Sequence, residues 1–441
     1  MRYLLQNAQL LSSGGVFRAA DVLLSGGRIV SIGDRISCPA DAVSIDLHKA
    51  VLFPGFVDVH VHLREPGFSY KETIRTGTLA AAHGGFAHVA AMPNLDPVPD
   101  CAAALAVQRA IIEKDALVHV HPYGAVSVGE KGERLADLDG LAPGVIAFSD
   151  DGRGVQSESL MREAMMQCRR LGKILAAHCE DNSLLHGGYI HDGAYARAHG
   201  HRGICSESEW GPIARDLRLA EETGCAYHVC HVSTKESVAL IRAAKRRGVD
   251  VTCETAPHYL TFTDRDARRC GAVMKTYPLI RTAADRQAVW QGLADGTLDW
   301  VCSDHAPHTC EEKHRSFWDA PAGISGIEGL SPVLLTAVHR GLLTLPRVAA
   351  ITSANAARTF GLYPRKGVIR PGADADLAIV DMSAAYTFRQ EKMYSKAKWS
   401  PYDGMSFQGR VVETILRGRT TMRDGQVLPD CFGQFLPVCT K

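Results

Sequence analysis

The sequence predicts an α/β protein, a TIM-like (β/α)8 barrel with a small composite β domain from both termini. Two observations support the barrel. Eight short apolar segments alternate with longer amphipathic ones between residues 54 and 362, and polar side chains follow most of the apolar segments. A third observation supports the second domain, because turns and short strands occupy both ends of the chain.

Residues 1–53 are predicted to form the N-terminal part of the β domain. Short strands are expected over 3–11, 20–24, 28–32 and 43–46, separated by Gly-rich turns. No period of 3.6 residues accompanies them, so this part of the chain is not expected to begin an α/β unit.

Residues 54–362 are predicted to form the barrel. Amphipathic periods predict helices over 71–83, 102–114, 157–171, 207–223, 235–247 and 283–294. Apolar runs predict strands over 56–62, 86–92, 117–123, 145–150, 174–178, 226–231, 249–254 and 299–304. An open doubly wound sheet is the rival fold, but no Gly-rich phosphate-binding fingerprint follows the first strand.

Residues 363–441 are predicted to complete the β domain. Residues 368–380 form a turn pattern followed by an apolar strand, and further strands are expected over 409–416 and 420–427 around Gly418. Because this composition resembles that of residues 1–53, we expect the two ends to share one domain outside the barrel.

Composition excludes several classes of function. A net charge of +1 provides no field for nucleic acid or an anionic membrane. We find no signal-peptide pattern, and no apolar run approaches the ~20 residues of a membrane span. Thirteen cysteines without CxxC pairs predict reduced thiols and a cytoplasmic protein. Four of these cysteines lie in or beside apolar runs and are predicted to fill the core: Cys179, Cys230, Cys253 and Cys302.

The ends of the predicted strands carry imidazole and carboxylate side chains. Alternate residues of a strand share a face, so His60 and His62 can bind one ion. Four other strand ends supply Asp150 and Asp151, His178, His231, and Asp304. In a barrel these ends face one mouth, and their donor set without thiolate suits Zn, Mn, Co or Fe.

Two ions can be bound if one carboxylate bridges them. Asp151 is the expected bridge, and Asp150 is the alternative, since adjacent side chains point in opposite directions. In this arrangement the first ion binds His60, His62 and Asp304, and the second binds His178 and His231.

Motifs along most of the chain resemble those of the class I dihydroorotases in the amidohydrolase superfamily. The longest is PGFVDVHVHLREPGFSYKETIRTGT at residues 54–78. Others in the same order are MPNLDPVPD, FSDDG, AHCEDNSLL, YHVCHVSTKESV, VTCETAPHYL, SDHAPHT, GVIRPGADADLAIVD and SPYDG.

The resemblance implies a metal-dependent barrel that reversibly converts N-carbamoyl-L-aspartate to dihydroorotate in pyrimidine synthesis. It implies two divalent ions, with Zn²⁺ favoured, and a hydroxide that attacks the ring carbonyl while Asp304 acts as general acid and base. The implied metal ligands are His60, His62, Asp151, His178, His231 and Asp304. The implied substrate contacts are Arg64, Asn94 and His308 at the carboxylate, with His62, Ala322 and Gly323 at the ring pocket.

Two departures from the family pattern affect the pocket. Tyr277 stands where dihydroorotases commonly have a substrate-contacting Asn, and Ala322 stands where a Phe often precedes the Gly. The alternative is therefore another cyclic amidohydrolase of the hydantoinase, dihydropyrimidinase or allantoinase type. Hydantoinase-type relatives usually bridge their metals with a carboxylated Lys on strand four, whereas residues 145–151 contain no Lys. A non-catalytic scaffold is disfavoured by the complete ligand set.

Other polar residues receive more ordinary predictions. His119 and His121 are expected to be core or rim histidines, and His199 and His201 to be solvated. Lys71 and Glu72 are predicted to lie on a solvated helix face, and residues 311–313 to form a charged run in a loop over the mouth. The expected partner is a small-molecule substrate, and a homodimer and a complex with another enzyme of the pathway are both compatible with the sequence.

Overall fold

Short parallel strands in the middle of the chain form the wall of a barrel. The computed structural model describes residues 2–11, 15–428, 430 and 433–435. One parallel sheet contains Phe56–Val61, Phe86–Ala91 and His119–Pro122. A second contains, in spatial order, Leu175–Ala177, Tyr227–Val229, Val251–Thr255 and Trp300–Val301.

Single parallel bridges join the two sheets and close the barrel. Phe148 pairs with Gly124 on one side and Leu175 on the other, and Val61 pairs with His305. The strand predicted over 145–150 is therefore reduced to one bridging residue. The segment still holds the fourth wall position, because the Phe148 amide donates to the Ile174 carbonyl at 3.1 Å and the Leu175 bridge continues the ladder.

Helices alternate with the wall strands, as predicted. The longer ones are Ile74–Gly84, Ala102–Asp115, Glu158–Arg170, Glu207–Thr223, Lys235–Arg247, Ala283–Asp295 and Ile327–His339. The first begins later than predicted, because the Thr73 hydroxyl caps it and leaves Lys71 and Glu72 in the preceding loop. Shorter helices are Leu138–Leu141, Ala194–Ala198, Pro257–Thr261, Ala267–Cys270, Cys310–Lys313, Leu345–Ala349 and Asn355–Thr359.

A nine-stranded sheet unites both ends of the chain. The strand Val51–Pro54 runs parallel to Arg2–Leu11 and antiparallel to Leu377–Thr387, which joins the two halves. The remaining strands are Phe17–Ser25, Arg28–Gly33, Ala42–Asp46, Ser406–Leu416, Arg419–Arg423 and Gln426–Val427. The predicted limits of the parts, 1–53, 54–362 and 363–441, stay a prediction.

Buried apolar side chains form one large core around the barrel and a smaller one in the terminal sheet. All four cysteines predicted to fill the core are buried and unbridged: Cys179, Cys230, Cys253 and Cys302. In the part of the chain that the structure describes, no helix is long and apolar enough to cross a membrane.

Candidate active site

Asp151 lies between four histidine rings at the carboxyl end of the barrel. Its Oδ1 is 3.4 Å from His60 Nε2, 3.2 Å from His231 Nε2 and 3.7 Å from His178 Nδ1. Its Oδ2 is 3.4 Å from His62 Nε2. All five side chains are buried. One carboxylate therefore faces histidines from three separate segments of the barrel wall.

Asp304 completes the group from the other side. Its Oδ1 lies 3.7 Å from His60 Nε2 and 3.5 Å from His62 Nε2. Asp304, His231 and Arg64 have positive φ angles of 43°, 36° and 59°. Non-glycine residues rarely adopt this conformation, and such strained positions cluster at active sites.

The donor set fits divalent metal ions. Among the side chains that the structure describes, four groups of three residues have ligand atoms within 4.8 Å of one another. Asp151 belongs to two of them: His60, His62 and Asp151, and Asp151, His178 and His231. His60 Nε2 is buried without a hydrogen-bond partner among the described residues, as expected of an atom that faces an ion. Imidazole nitrogens and carboxylate oxygens are ligands that zinc and similar ions prefer.

Asp150, the alternative bridge, turns away from the histidines. Its Oδ1 accepts hydrogen bonds from the amides of Val126 at 2.8 Å and Ser127 at 3.1 Å. Its Oδ2 accepts one from the Ser127 hydroxyl. Of the two adjacent carboxylates, only Asp151 faces the histidine rings.

Glu254 is a site residue that sequence reasoning missed. Its Oε1 lies 2.7 Å from His60 Nδ1, and its Oε2 accepts a hydrogen bond from Trp300 Nε1 at 2.8 Å. A carboxylate that accepts a hydrogen bond from Nδ1 keeps the proton on that nitrogen and leaves the Nε2 lone pair of His60 facing the site. The sequence did contain a signal for this role, because Glu254 lies inside the apolar strand Val251–Thr255. A charge buried in a strand needs a polar partner, so its presence indicates a functional or structural contact.

Hydrogen bonding keeps Glu254 ionised in the core. Burial by itself would raise the pKa of this carboxyl. Hydrogen bonds and charge from His228 and His60 outweigh burial and hold its pKa well below the ordinary value. Glu254 is therefore an anion, and its carboxylate orients the His60 ring.

A cavity of about 360 Å³ opens at the mouth beside these residues. Eight of the predicted site residues line it: His62, Arg64, Asn94, Asp151, His178, Asp304, Ala322 and Gly323. Side chains that were not predicted to contact substrate line it too: Phe68, Lys71, Glu130, Arg153, Thr276 and Tyr277. The volume suits a small molecule.

A second cluster, of cationic and imidazole groups, stands at this mouth. Arg64 Nε donates to the Pro307 carbonyl at 3.2 Å, and an Arg64 terminal nitrogen is 3.4 Å from His308 Nε2. Lys71 Nζ is 2.9 Å from His308 Nδ1. Because an ammonium only donates, Nδ1 accepts and the proton resides on Nε2, which faces the Ala322 carbonyl at 2.8 Å.

This cluster holds His308 neutral. Burial, followed by the charges of Arg64 and Lys71, lowers the pKa of His308 to about 2. The neutral ring is thus a fixed donor and acceptor. The cations beside it are Arg64 and Lys71, of which Lys71 also pairs with Glu312 Oε1 at 3.2 Å.

Asn94 is held by the loop that follows strand four. Its side-chain nitrogen donates to the Asp151 carbonyl and to Glu130 Oε1, the latter at 3.2 Å. Its Oδ1 is buried without a hydrogen-bond partner in the described parts of the chain. Burial, together with the charges of Asp150 and Asp151, raises the pKa of Glu130 well above its ordinary value. Glu130 is a further cavity residue that sequence reasoning missed.

The two departures from the family pattern both lie in the cavity wall. The Tyr277 hydroxyl donates to the Gly188 carbonyl at 3.1 Å, so it is committed to a neighbouring loop. Ala322 contributes a small side chain beside Gly323. Gly323 has a φ of 140°, and a Cβ there would lie 2.5 Å from the Ala306 carbonyl oxygen. Only glycine fits this position.

The predictions for Glu72 and Lys313 were wrong. Glu72 is fully buried, accepts a hydrogen bond from the Ser395 hydroxyl at 2.5 Å and lies 3.3 Å from His305 Nε2. Lys313 is fully buried as well, although Glu311 beside it is exposed. Charge runs resemble solvated surface in a sequence, but here the backbone turns both side chains inward, where polar groups bind them.

The other histidine pairs agree more closely with prediction. His119 and His121 are buried in the third wall strand. His199 is exposed, whereas His201 is half-buried and its Nδ1 lies 3.2 Å from the Tyr189 hydroxyl.

Comparison with known proteins assigns a family. Residues 49–237 match the sequence model of a family described as dihydro-orotase-like, and residues 287–422 match an amidohydrolase family. The chain is 43% identical over 428 residues to a dihydroorotase of Anoxybacillus flavithermus, which covers 97% of this chain and 100% of that protein. It is also 43% identical to a dihydroorotase of Bacillus caldolyticus, over 96% and 99% of the two chains.

Solved structures of cyclic-amide hydrolases share the fold. An L-hydantoinase (dihydropyrimidinase) of Arthrobacter aurescens aligns with a TM-score of 0.89 at 29% identity, over 98% of each chain. A dihydropyrimidinase of Brevibacillus agri aligns with a TM-score of 0.89 at 25% identity, over 100% of this chain and 99% of the other. The near full-length identity of 43% is the stronger relationship, and this chain belongs to the dihydroorotase family of metal-dependent amidohydrolases.

Proposed function

We propose that this chain interconverts N-carbamoyl-L-aspartate and dihydroorotate at a centre of two divalent ions, preferably Zn²⁺. The observation that carries the proposal is that two cations, Arg64 and Lys71, line the same cavity as a carboxylate shared by two groups of histidines. Dihydroorotate bears a carboxylate that hydantoin and dihydrouracil lack, so its enzyme needs a cationic clamp near the reacting amide.

In this proposal Asp151 bridges the ions. His60, His62 and Asp304 hold one of them, and His178 and His231 hold the other. Such ions supply Lewis acidity and make hydroxide available near neutral pH. Residues 145–151 contain no Lys, so the bridge requires no carboxylated side chain.

Asp304 is proposed to move the proton. During ring opening the attacking water loses a proton and the leaving ring nitrogen gains one, and a carboxylate between them can carry it. Burial would raise the pKa of Asp304, but its hydrogen bond with His62 and the charges of the neighbouring histidines lower it below the ordinary value. The group is therefore an anion able to accept the proton.

Arg64 is proposed to bind the substrate carboxylate. Its guanidinium presents forked donors at the cavity, His308 lies beside it, and Asn94 lines the same cavity. Asn94 requires rearrangement before its amide can donate to substrate, because the Asp151 carbonyl and Glu130 already accept from it. His62, Ala322 and Gly323 are proposed to face the substrate ring.

A hydantoinase or dihydropyrimidinase activity is the second candidate. The solved structures named above favour it, as do Tyr277 and Ala322, which alter the pocket wall. The test is a side-by-side assay of the zinc-loaded protein on dihydroorotate, hydantoin, dihydrouracil and allantoin. We expect the highest kcat/KM on dihydroorotate, and a preference for an uncharged ring would contradict the proposal.

The cellular setting is part of the same proposal. A cytoplasmic location, a homodimer and a complex with another enzyme of the pathway stay predictions. Size-exclusion chromatography with light scattering measures the oligomeric state directly.

A further inference from the structure

A second group of histidines lies at the barrel end opposite the candidate active site. His88 and His119 pair in register near the amino ends of wall strands two and three. Asp376 reaches the same place from the terminal sheet, because the Gly55 amide, just before the first wall strand, donates to its carbonyl at 2.8 Å. Parallel strands point their amino ends away from the mouth.

These three side chains have the geometry of a metal site. Their ligand atoms lie within 4.8 Å of one another, and all three side chains are buried. His88 Nε2 is 3.1 Å from Asp376 Oδ2, and the rings of His88 and His119 are stacked with centroids 4.9 Å apart. His119 Nε2 is buried and has no hydrogen-bond partner among the residues that the structure describes.

The surroundings supply the outer contacts that ligating histidines require. His88 Nδ1 lies 3.2 Å from His121 Nε2. His121 Nε2 can accept a hydrogen bond from His88 Nδ1 while Nε2 of His88 binds an ion. The Gln434 amide donates to His119 Nδ1 at 3.2 Å, and the Gln434 carbonyl oxygen lies 3.3 Å from the same nitrogen. To bind an ion through Nε2, the ring must carry its proton on Nδ1 and donate to that carbonyl instead.

A buried lysine, Lys366, pairs with the carboxylate of this site and must release it for an ion to bind. Lys366 Nζ is 2.5 Å from Asp376 Oδ2, but it also lies 2.9 Å from Asp374 Oδ2. Lys366 therefore keeps a carboxylate partner if Asp376 turns to an ion.

An entry path adjoins the cluster. A groove of about 1480 Å³ is lined by Arg417 and Gln434, among others. The Arg417 amide donates to Asp376 Oδ1 at 2.7 Å, and Gln434 contacts His119. Arg417 and Gln434 thus connect the groove to the cluster.

We propose that His88, His119 and Asp376 bind one Zn²⁺ ion as a site separate from the candidate active site. Two imidazoles and a carboxylate form a borderline donor set, and water completes the four positions of zinc. The site ties the barrel wall to the terminal sheet. The inference is independent of the proposed function.

The test is zinc content, measured by mass spectrometry on the purified, zinc-loaded full chain. We expect His119→Gln to lose one equivalent while keeping turnover on the preferred cyclic amide within about twofold of the parent protein. Asp151→Ala should retain that equivalent, and the double variant should lose it. The matched control is His199→Gln, an exposed histidine that should keep the parent content. Equal zinc content in the parent and His119→Gln would overturn the proposal. The cluster would then be a network of hydrogen bonds and ion pairs without a metal ion.

A second measurement needs no variant. Crystals of the zinc-loaded parent, with diffraction recorded at the zinc absorption edge, should show an anomalous peak about 2.0–2.2 Å from ligand atoms of His88, His119 and Asp376. Peaks confined to the mouth of the barrel would equally overturn the proposal.

Discussion

Arg64 places a positive charge near Asp151 and Asp304, the two carboxylates proposed to bind metal. The residue has a φ of 59°, and its side chain bonds Pro307 and contacts His308. Desolvation lowers the pKa of Arg64 to about 10, although Asp304 and Asp151 oppose this shift. The guanidinium therefore stays charged at neutral pH and can bind an anion.

Replacement of Arg64 should separate substrate binding from folding. We expect Arg64→Met to raise KM for dihydroorotate and to lower kcat/KM by ~100-fold, about 3 kcal/mol, because a bound carboxylate is left without its charged partner. Steady-state kinetics measures this effect. Arg18→Met, at an exposed arginine, is the control. Parent-like KM in the Arg64 variant would refute the clamp.

Asp151 should control metal content. We expect Asp151→Ala to lose metal from the mouth of the barrel, because both groups of candidate ligands share this carboxylate. Elemental analysis after extensive dialysis provides the measurement, with Asp150→Ala as the neighbouring control. Unchanged metal content in the Asp151 variant would exclude a bridging role.

Asp304 should affect turnover more than metal. Asp304→Asn keeps the shape and one oxygen ligand but removes the proton acceptor, so we expect ~10²–10⁴-fold slower turnover in both directions. Metal content should stay close to that of the parent protein. Asp34→Asn, at an exposed carboxylate, is the control. Near-normal turnover would show that Asp304 transfers no proton and serves only as a metal ligand.

The segment after the last wall strand is organised by a buried lysine. Lys313 ends the short helix Cys310–Lys313, which Thr309 caps. Its Nζ donates to the carbonyls of Lys275 at 3.0 Å, Pro321 at 3.0 Å and Gly323 at 2.9 Å. These bonds fix the element that presents Ala322 and Gly323 to the cavity.

Loss of this ammonium should loosen the cavity wall. We expect Lys313→Met to lower the free energy of unfolding by about 2 kcal/mol, because three buried carbonyls lose their donor. KM for dihydroorotate should rise with it. Chemical denaturation and kinetics measure the two effects, and Lys235→Met, at an exposed lysine, is the control. A parent-like KM would show that the cavity wall does not depend on Lys313.

At the scale of the whole molecule, the two ends of the chain are interdependent. Leu377 belongs to the strand that pairs with Val51–Pro54 on one side and Ser406–Leu416 on the other. It is fully buried in the small core of the terminal sheet, with Leu5 and Ile415 among its members. Neither end buries this core without the other.

A cavity in this core should destabilise the protein. We expect Leu377→Ala to lower the free energy of unfolding by ~2–5 kcal/mol, from lost burial and the cavity left behind. Leu342→Ala is the matched control, since that side chain is 50% exposed. Guanidinium titration measures both variants. Equal midpoints for the two would contradict a shared core.

The sequence by itself determined the fold class and most of the candidate metal ligands. Side chains of a strand alternate, and parallel strands end at one mouth, so the positions of His60, His62, His178, His231 and Asp304 follow from spacing and order. The helices Glu207–Thr223 and Lys235–Arg247 match their predicted limits because amphipathic periods and Gly caps are local signals.

Only the tertiary structure decided which polar groups face one another. Asp151 rather than Asp150 faces the histidines because the loop amides at Val126 and Ser127 take the other carboxylate. Glu254 and Lys313 are buried because groups distant in sequence, His60 and the Lys275 carbonyl respectively, bond them. Such pairings depend on long-range packing, which residue spacing does not encode.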